Sequence, residues 1–337
     1  MRTAVLGVGR MGRRHVQVAA KAGCELVGVF DVKAESLTLA QQEANLPAGV
    51  LYADLDRLYT VAKPELVIIS TTADSHAALT AQAAERGAKF ILVEKPMAQS
   101  LADCDRMIEV CRAHGVRLAV NHQMRFMEQY THPRVLGYSE AFGGIQSMTV
   151  VGGNFGMANN GTHYFEAFRY MMGEDVASVS AWFSPEIVPN PRGPQFMDRA
   201  GSLRAVTTGG KRFYMDVSSD QGHGVLVTYA CRYGTITVNE LMGEMIAISR
   251  QDEHRALPTT RYGMPANVER VQIAPAEVID TSVAVLQSLL TGSNEVSGEV
   301  GRRSVEVLVA AYRSAAKDGA PVAIAGDLGR DEAFPWA

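Results

Sequence analysis

Long apolar runs are missing from this 337-residue sequence: none approaches the roughly 18 residues of a membrane span, which excludes a helical membrane protein. The apolar stretch at the N-terminus is also too short for the h-region of a cleaved signal peptide, so a cytoplasmic protein is expected. Cysteine is scarce. Cys24, Cys104, Cys111 and Cys231 show no C-x-x-C spacing, which argues against both a zinc site and a disulfide framework. Cys104 and Cys111 read instead as small core residues of one helix. Neither charge is in surplus: 32 Lys and Arg against 36 Asp and Glu leave a net −4, with no basic excess to hold nucleic acid or an anionic membrane. Repeats and low-complexity linkers are absent too. What remains is 47% hydrophobic and 20% charged, ordinary for a soluble globular enzyme, and long enough for two domains.

The chain is organised around its first fifteen residues, MRTAVLGVGRMGRRH. Residues 2–6 are a short apolar run, too short for a helix and right for a buried parallel strand. Gly7, Gly9 and Gly12 follow as G-x-G-x-x-G, and a helix is predicted over residues 13–21. Gly7 permits the tight turn, Gly9 lets the backbone approach a pyrophosphate, and Gly12 lets the helix sit close on the strand. The free amides at the helix start face the phosphates. Three glycines alone fit any tight turn, but a second apolar strand over residues 25–30 ends at Asp31. That acid lies 31 − 12 = 19 residues past Gly12, the separation of a ribose-binding carboxylate. A bound dinucleotide is therefore expected, and Asp31 favours NAD over NADP because it repels a 2′-phosphate.

Helices are predicted over residues 33–43, 55–59, 77–86 and 101–114, alternating with strands over 66–70, 89–93 and 117–120. Asp54 caps the second of these helices, and Ser100 with Asp103 forms a weak capping box on the last. This alternation predicts a doubly wound parallel sheet, an α/β domain over residues 1–121. Beyond it the rhythm changes. Strands are predicted over residues 145–151, 176–183, 203–208, 211–217, 225–231 and 235–240, with Gly209-Gly210 as a hairpin turn. One helix covers Thr162–Met172 and two close the chain over 283–290 and 302–316; residues 258–267 read as a long loop. Residues 122–337 thus predict an α+β domain with a mostly antiparallel open sheet. Its helix-free face calls for a partner, so a homodimer or homotetramer is expected.

GVGRMGRRH at residues 7–15, Glu94-Lys95-Pro96 and a G-x-H-x-x-acid helix start at Gly161 resemble the glucose–fructose oxidoreductase/inositol dehydrogenase (Gfo/Idh/MocA) family. EVGRRSVEVLVAAYRSA at residues 299–315 resembles its closing helix. The resemblance implies a Rossmann domain followed by a substrate domain, and NAD(P)-dependent hydride transfer at a hydroxyl or keto carbon. Sugars, nucleotide-linked sugars and cyclitols are the implied substrates. A non-catalytic NAD-binding sensor and an NAD-assisted glycosidase or eliminating enzyme are the alternatives. Gly7, Gly9, Arg10, Met11, Gly12, Asp31, Thr71, His76, Glu94, Lys95 and Gln123 are the implied cofactor contacts, and no metal is implied. A cis bond before Pro96 is implied as well.

Lys95, at the carboxyl end of its strand, suits donation to the substrate oxygen; a surface lysine before a proline turn is the plainer alternative. His163, at a helix N-terminus, should stay neutral and accept a proton, with Glu166 three residues on to orient it. Simple packing is the competing role there. Asn159 departs from the family, whose members carry aspartate four residues before this histidine. An amide cannot take a proton, so Lys95 and His163 would share proton transfer. Arg125-Phe126 resembles the family's R-F pair. His15 is expected to pack on the first helix, and Tyr164, Phe165, Phe168 and Tyr170 to be core.

Overall fold

The computed structural model describes all residues except 154, 189, 191, 259 and 260. Strands and helices alternate from the start: β1 (Arg2–Leu6), α1 (Arg10–Lys21), β2 (Glu25–Phe30), α2 (Ala34–Ala44), β3 (Leu51–Tyr52), α3 (Leu55–Ala62), β4 (Leu66–Ile69), α4 (Ala73–Glu85), β5 (Phe90–Val93), α5 (Leu101–Ala113) and β6 (Arg117–Val120). All six strands pair in parallel in the order β3-β2-β1-β4-β5-β6. The order reverses between β1 and β4, and that switch point is where an open α/β sheet places its ligand crevice. Both expected caps are present: the Arg57 amide donates to Asp54 Oδ1 (2.9 Å) and the Asp103 amide to Ser100 Oγ (3.1 Å).

The second half opens with α6 (Glu128–Gly137), β7 (Ile145–Gly153), a π-helical turn at Met157–Gly161, and α7 (Thr162–Met172). Then come β8 (Val176–Val188), β9 (Asp198–Thr207), β10 (Arg212–Ser218), β11 (Leu226–Cys231), β12 (Gly234–Asn239), β13 (Glu244–Arg250) and β14 (Ala266–Gln272). The chain closes on α8 (Val278–Thr291), α9 (Gly298–Ala315) and β15 (Val322–Ala323). The strands form one sheet in the order β14-β13-β12-β11-β7-β10-β9-β8-β15. Every pairing is antiparallel except β7 with β10. One face buries Met148, Val150, Phe213, Met215, Tyr229 and Ile236 beneath α7 and α9. The opposite face leaves Trp182, Tyr214, Leu226 and Ile248 exposed.

The expected elements recur with shifted ends, and five more join them: β3, α6, β13, β14 and β15. α6 carries Pro133 inside and ends at Gly137, residues that contradict helix propensity. β14 is an edge strand exposed along most of its length, so it lacks the alternation of a half-buried strand. It begins at Ala266, inside the stretch read as loop, of which residues 259 and 260 lie outside the described residues. α8 has a role no local pattern announced. Val283, Val285, Leu286 and Leu289 pack on Val5, Val16, Leu66, Ile68 and Leu92, closing one face of the parallel sheet. Each such side chain fully removed from water contributes about 1.5–3 kcal/mol.

Candidate active site at the switch point

The β1–α1 turn is shaped by its glycines. Gly7 has φ +82°, a left-handed conformation that side chains rarely adopt, and its oxygen accepts from Ser70 Oγ at 2.7 Å. A Cβ on Gly12 would collide with the Gly7 carbonyl oxygen. A Cβ on Gly9 would meet nothing within 4 Å, because that side faces an open crevice. No side chain caps α1, so its first amides remain available to a ligand. Asp31 is held at the crevice wall by the amides of Val8 and Lys33, both at 2.8 Å.

The crevice has a volume of about 740 Å³, in the range of small-molecule sites. Gly7, Gly9, Arg10, Met11, Asp31, Thr71 and Glu94 line it, and so do Asn159 and Arg192 from the second half of the chain. Gly12 sits behind the turn. His76 and Gln123 are buried beside the crevice without lining it. His76 lies in the first turn of α4, which starts at Ala73 and not at residue 77 as expected, and its ring nitrogens meet the carbonyl oxygens of Pro96, Met97 (both 3.2 Å) and Thr71 (3.3 Å). The imidazole thus holds the main chain after Lys95.

Glu94 points inward. Its Oε1 accepts from His15 Nε2 (2.6 Å) and Asn121 Nδ2 (2.8 Å), and its Oε2 from the Lys95 amide (3.2 Å). Burial alone would raise the Glu94 carboxyl, but these donors and the Lys95 charge hold it well below its ordinary range. His15, expected only to pack, is therefore the main clamp on Glu94. The Lys95–Pro96 bond is cis.

Lys95 is 8% exposed and donates from Nζ to the Asn159 carbonyl oxygen, with Asn159 Oδ1 at 3.4 Å. Burial pushes its pKa down to about 8; Glu94 opposes the shift and Arg192 adds to it. His163 follows the π-helical turn, a feature frequent at functional sites. Burial, then the Lys95 charge, lowers its pKa well below the ordinary value. Its Nδ1 has no hydrogen-bond partner among the described residues, nor does either nitrogen of His122, whose ring centroid lies 6.1 Å away. Glu166 does not orient His163. It forms an ion pair with Arg125 (Nη2 to Oε1, 2.8 Å), and burial pushes its pKa up to about 7 against that guanidinium. Phe165, Phe168 and Tyr164 are core as expected, while Tyr170 is half-buried beneath Arg125 and Arg134.

Two residues invisible to motif reading complete the site. Asp198, at the start of β9, accepts from the amides of Ala158 (2.9 Å), Asn159 (2.8 Å) and Arg199 (2.9 Å) and so fixes the π-helical turn. Arg192 donates from Nη1 to Asn159 Oδ1 at 3.0 Å. No spacing could have linked them to His163, because the β8–β9 return brings them there.

The parallel sheet, its switch-point crevice and the glycine turn define an NAD-binding Rossmann protein. Residues 1–122 match the Gfo/Idh/MocA oxidoreductase family, described by its NAD-binding Rossmann fold. An inositol 2-dehydrogenase of Salmonella typhimurium is 25% identical over 255 residues, 68% of this chain and 75% of that protein. Among solved structures, an oxidoreductase from Agrobacterium radiobacter in complex with NAD⁺, L-tartaric acid and magnesium superposes with TM-score 0.80. It is 19% identical, with 96% of this chain and 98% of that one covered. The WlbA dehydrogenase from Bordetella pertussis, in complex with NADH and UDP-GlcNAcA, gives TM-score 0.71 at 21% identity, covering 97% and 99%. The family match thus covers the parallel α/β half of the chain, and the solved structures share the fold over nearly all of it. No helix among the described residues is long and apolar enough to cross a membrane.

Proposed function

We propose that the protein is a dehydrogenase in which Lys95 exchanges the proton of a sugar or cyclitol hydroxyl while NAD takes the hydride. The observation that carries this is Lys95 itself: a buried amine beside the crevice residues Glu94 and Asn159, whose pKa burial pushes down to about 8. Efficient proton transfer needs a group titrating near the working pH. His163 is held neutral and lacks a charged partner, since Glu166 is engaged by Arg125 and position 159 is an amide. It therefore positions the hydroxyl, and Lys95 holds or accepts the proton at Nζ. The named relatives include an inositol dehydrogenase and an apiose dehydrogenase, which agrees with ring nitrogens of His122 and His163 near Lys95 that have no hydrogen-bond partner among the described residues.

This assignment has a sign. In the oxidation direction Lys95 must be neutral, so kcat/KM should rise with pH and level off above about 8. In the reduction direction it must carry the proton, so kcat/KM should fall above the same value. Opposite limbs in the two directions, both absent in Lys95→Arg, are expected; a shared limb would count against Lys95. The decisive first experiment is NAD reduction with a panel of cyclitols and sugars, where no redox change with any of them would favour a binding-only protein.

Cofactor choice rests on Asp31. NADH should bind more tightly than NADPH by fluorescence titration, and Asp31→Ser should narrow the gap. Tighter NADPH binding to the wild type would overturn that reading. The exposed Trp182, Tyr214, Leu226 and Ile248 support pairing of the open sheet with a second copy. Light scattering should give a dimer or tetramer at micromolar concentration, whereas a monomer would refute the pairing. The four cysteines stand unpaired, which suits the reducing cytoplasm.

A further inference from the structure

Lys95 is held at both ends. Its main chain enters the loop between β5 and α5, where Met97 and Ala98 are fully buried and His76 holds the Pro96 and Met97 carbonyls. Its amine donates to the Asn159 carbonyl oxygen, in the turn that the Asp198 carboxylate fixes through the Ala158 and Asn159 amides. One segment, residues 334–336, touches both supports. Trp336 Nε1 donates to the Ala98 carbonyl oxygen (2.9 Å), Gln99 Nε2 to the Trp336 carbonyl oxygen (2.6 Å), and the Phe334 amide to the Gln99 carbonyl oxygen (3.0 Å). On the other side the amide of Met197, next to Asp198, donates to the Pro335 carbonyl oxygen (2.7 Å). Aromatic packing keeps the segment in place. The Trp336 indole is fully buried, stacks on Phe334 at 4.8 Å between ring centroids and meets Tyr312 edge-on at 5.4 Å. A buried indole N–H needs an acceptor, and the one it finds is three residues past Lys95.

We propose that Trp336 is a positioning residue for Lys95: through the Ala98 carbonyl it sets where the amine meets the π-helical turn and keeps water from it. This rests on the dehydrogenase reading above. The charges that face Lys95 are Glu94 on its own strand, Arg10 at the start of α1, and Arg192 and Asp198 from the β8–β9 return; His122 and His163 beside it are kept neutral by burial. A change at Trp336 leaves all of them in place. The Lys95 pKa, pushed down to about 8 by burial, therefore reports on the seal that Trp336 keeps. Slackening admits water, and the pKa rises toward its ordinary value.

Trp336→Phe keeps an aromatic ring and removes the N–H, so it tests the bond to Ala98 with little loss of packing. In NAD reduction with the sugar or cyclitol that the panel identifies, kcat should fall by about 10-fold, as for a displaced catalytic group. The rising limb of kcat/KM should move up from about 8 by roughly half a pH unit or more. NADH affinity should be unchanged. The same upward shift should appear in the pH dependence of Lys95 acetylation by acetic anhydride, followed by peptide mass spectrometry, which needs no turnover. Gln99→Met, at a half-buried position, should shift both midpoints the same way by less, and serves if Trp336→Phe does not fold. Phe183→Leu, at the far end of the same aromatic cluster with its ring 4.8 Å from that of Tyr312, should lower the melting temperature without moving either midpoint. The proposal is overturned if the midpoints stay at the wild-type value in Trp336→Phe (or in Gln99→Met where that variant does not fold), or if Phe183→Leu moves them as far. A shifted acetylation midpoint with no NADH formed from any of the panel would sink the dehydrogenase and leave the clamp standing. NADH formation with unmoved midpoints would do the reverse.

Discussion

Lys95→Met should lower kcat by about 10²–10⁴-fold, the range for removing a positioned proton-transfer group. Folding and NADH affinity should hardly change. The methionine replaces a lysine that is only 8% exposed, and exchanging a desolvated charge for an apolar chain of similar length costs little stability. The Glu94 carboxylate keeps its clamps from His15 and Asn121, so the loss of the amine does not strand it. Turnover, NADH titration and thermal melting on the same preparation separate the outcomes. A variant that melts like the wild type, binds NADH and turns over normally would remove Lys95 from the chemistry.

Gly12→Ala and Gly9→Ala should part company although they are three residues apart in one motif. At position 12 the added methyl meets the Gly7 carbonyl, with Ser70 Oγ at 2.9 Å behind it, and the obstruction is backbone that cannot rotate aside. α1 must lift from β1. Overpacking of this kind costs about 1–3 kcal/mol, and the displaced turn should weaken NADH binding by roughly 10-fold or more, the equivalent of 1.4 kcal/mol. At position 9 the methyl meets no protein atom, so the melting temperature should hold while NADH affinity falls, since the methyl occupies the pyrophosphate's approach. Normal NADH binding by Gly9→Ala would show that the phosphates lie elsewhere.

The glycine turn and Asp31 at the crevice were legible because their requirements are local. A tight turn demands glycine, a helix start presents amides to its own neighbours, and Asp31 follows at the end of the adjacent strand. Glu94, Lys95 and Pro96 were legible through resemblance, although the inward direction of Glu94 and its bond to His15 were not. That bond joins residues 79 apart in sequence. The expected Glu166–His163 contact failed for a physical reason. Three residues on one helix share a face, but a buried carboxylate pairs with the guanidinium that best offsets its desolvation, and Arg125 is that partner.

The sequence by itself determined the parallel α/β half and the mostly antiparallel second half, because backbone geometry and burial leave periodic traces along the chain, and its glycine turn pointed to the cofactor. Only the tertiary structure decided which charges meet. Arg192 reaches Asn159 across 33 residues, Asp198 reaches the same turn across 39, and α8 returns to seal the parallel sheet. Such partners are chosen by packing between distant segments, and the electrostatic cost of burying each group, with no pattern along the chain to record it, selects among them.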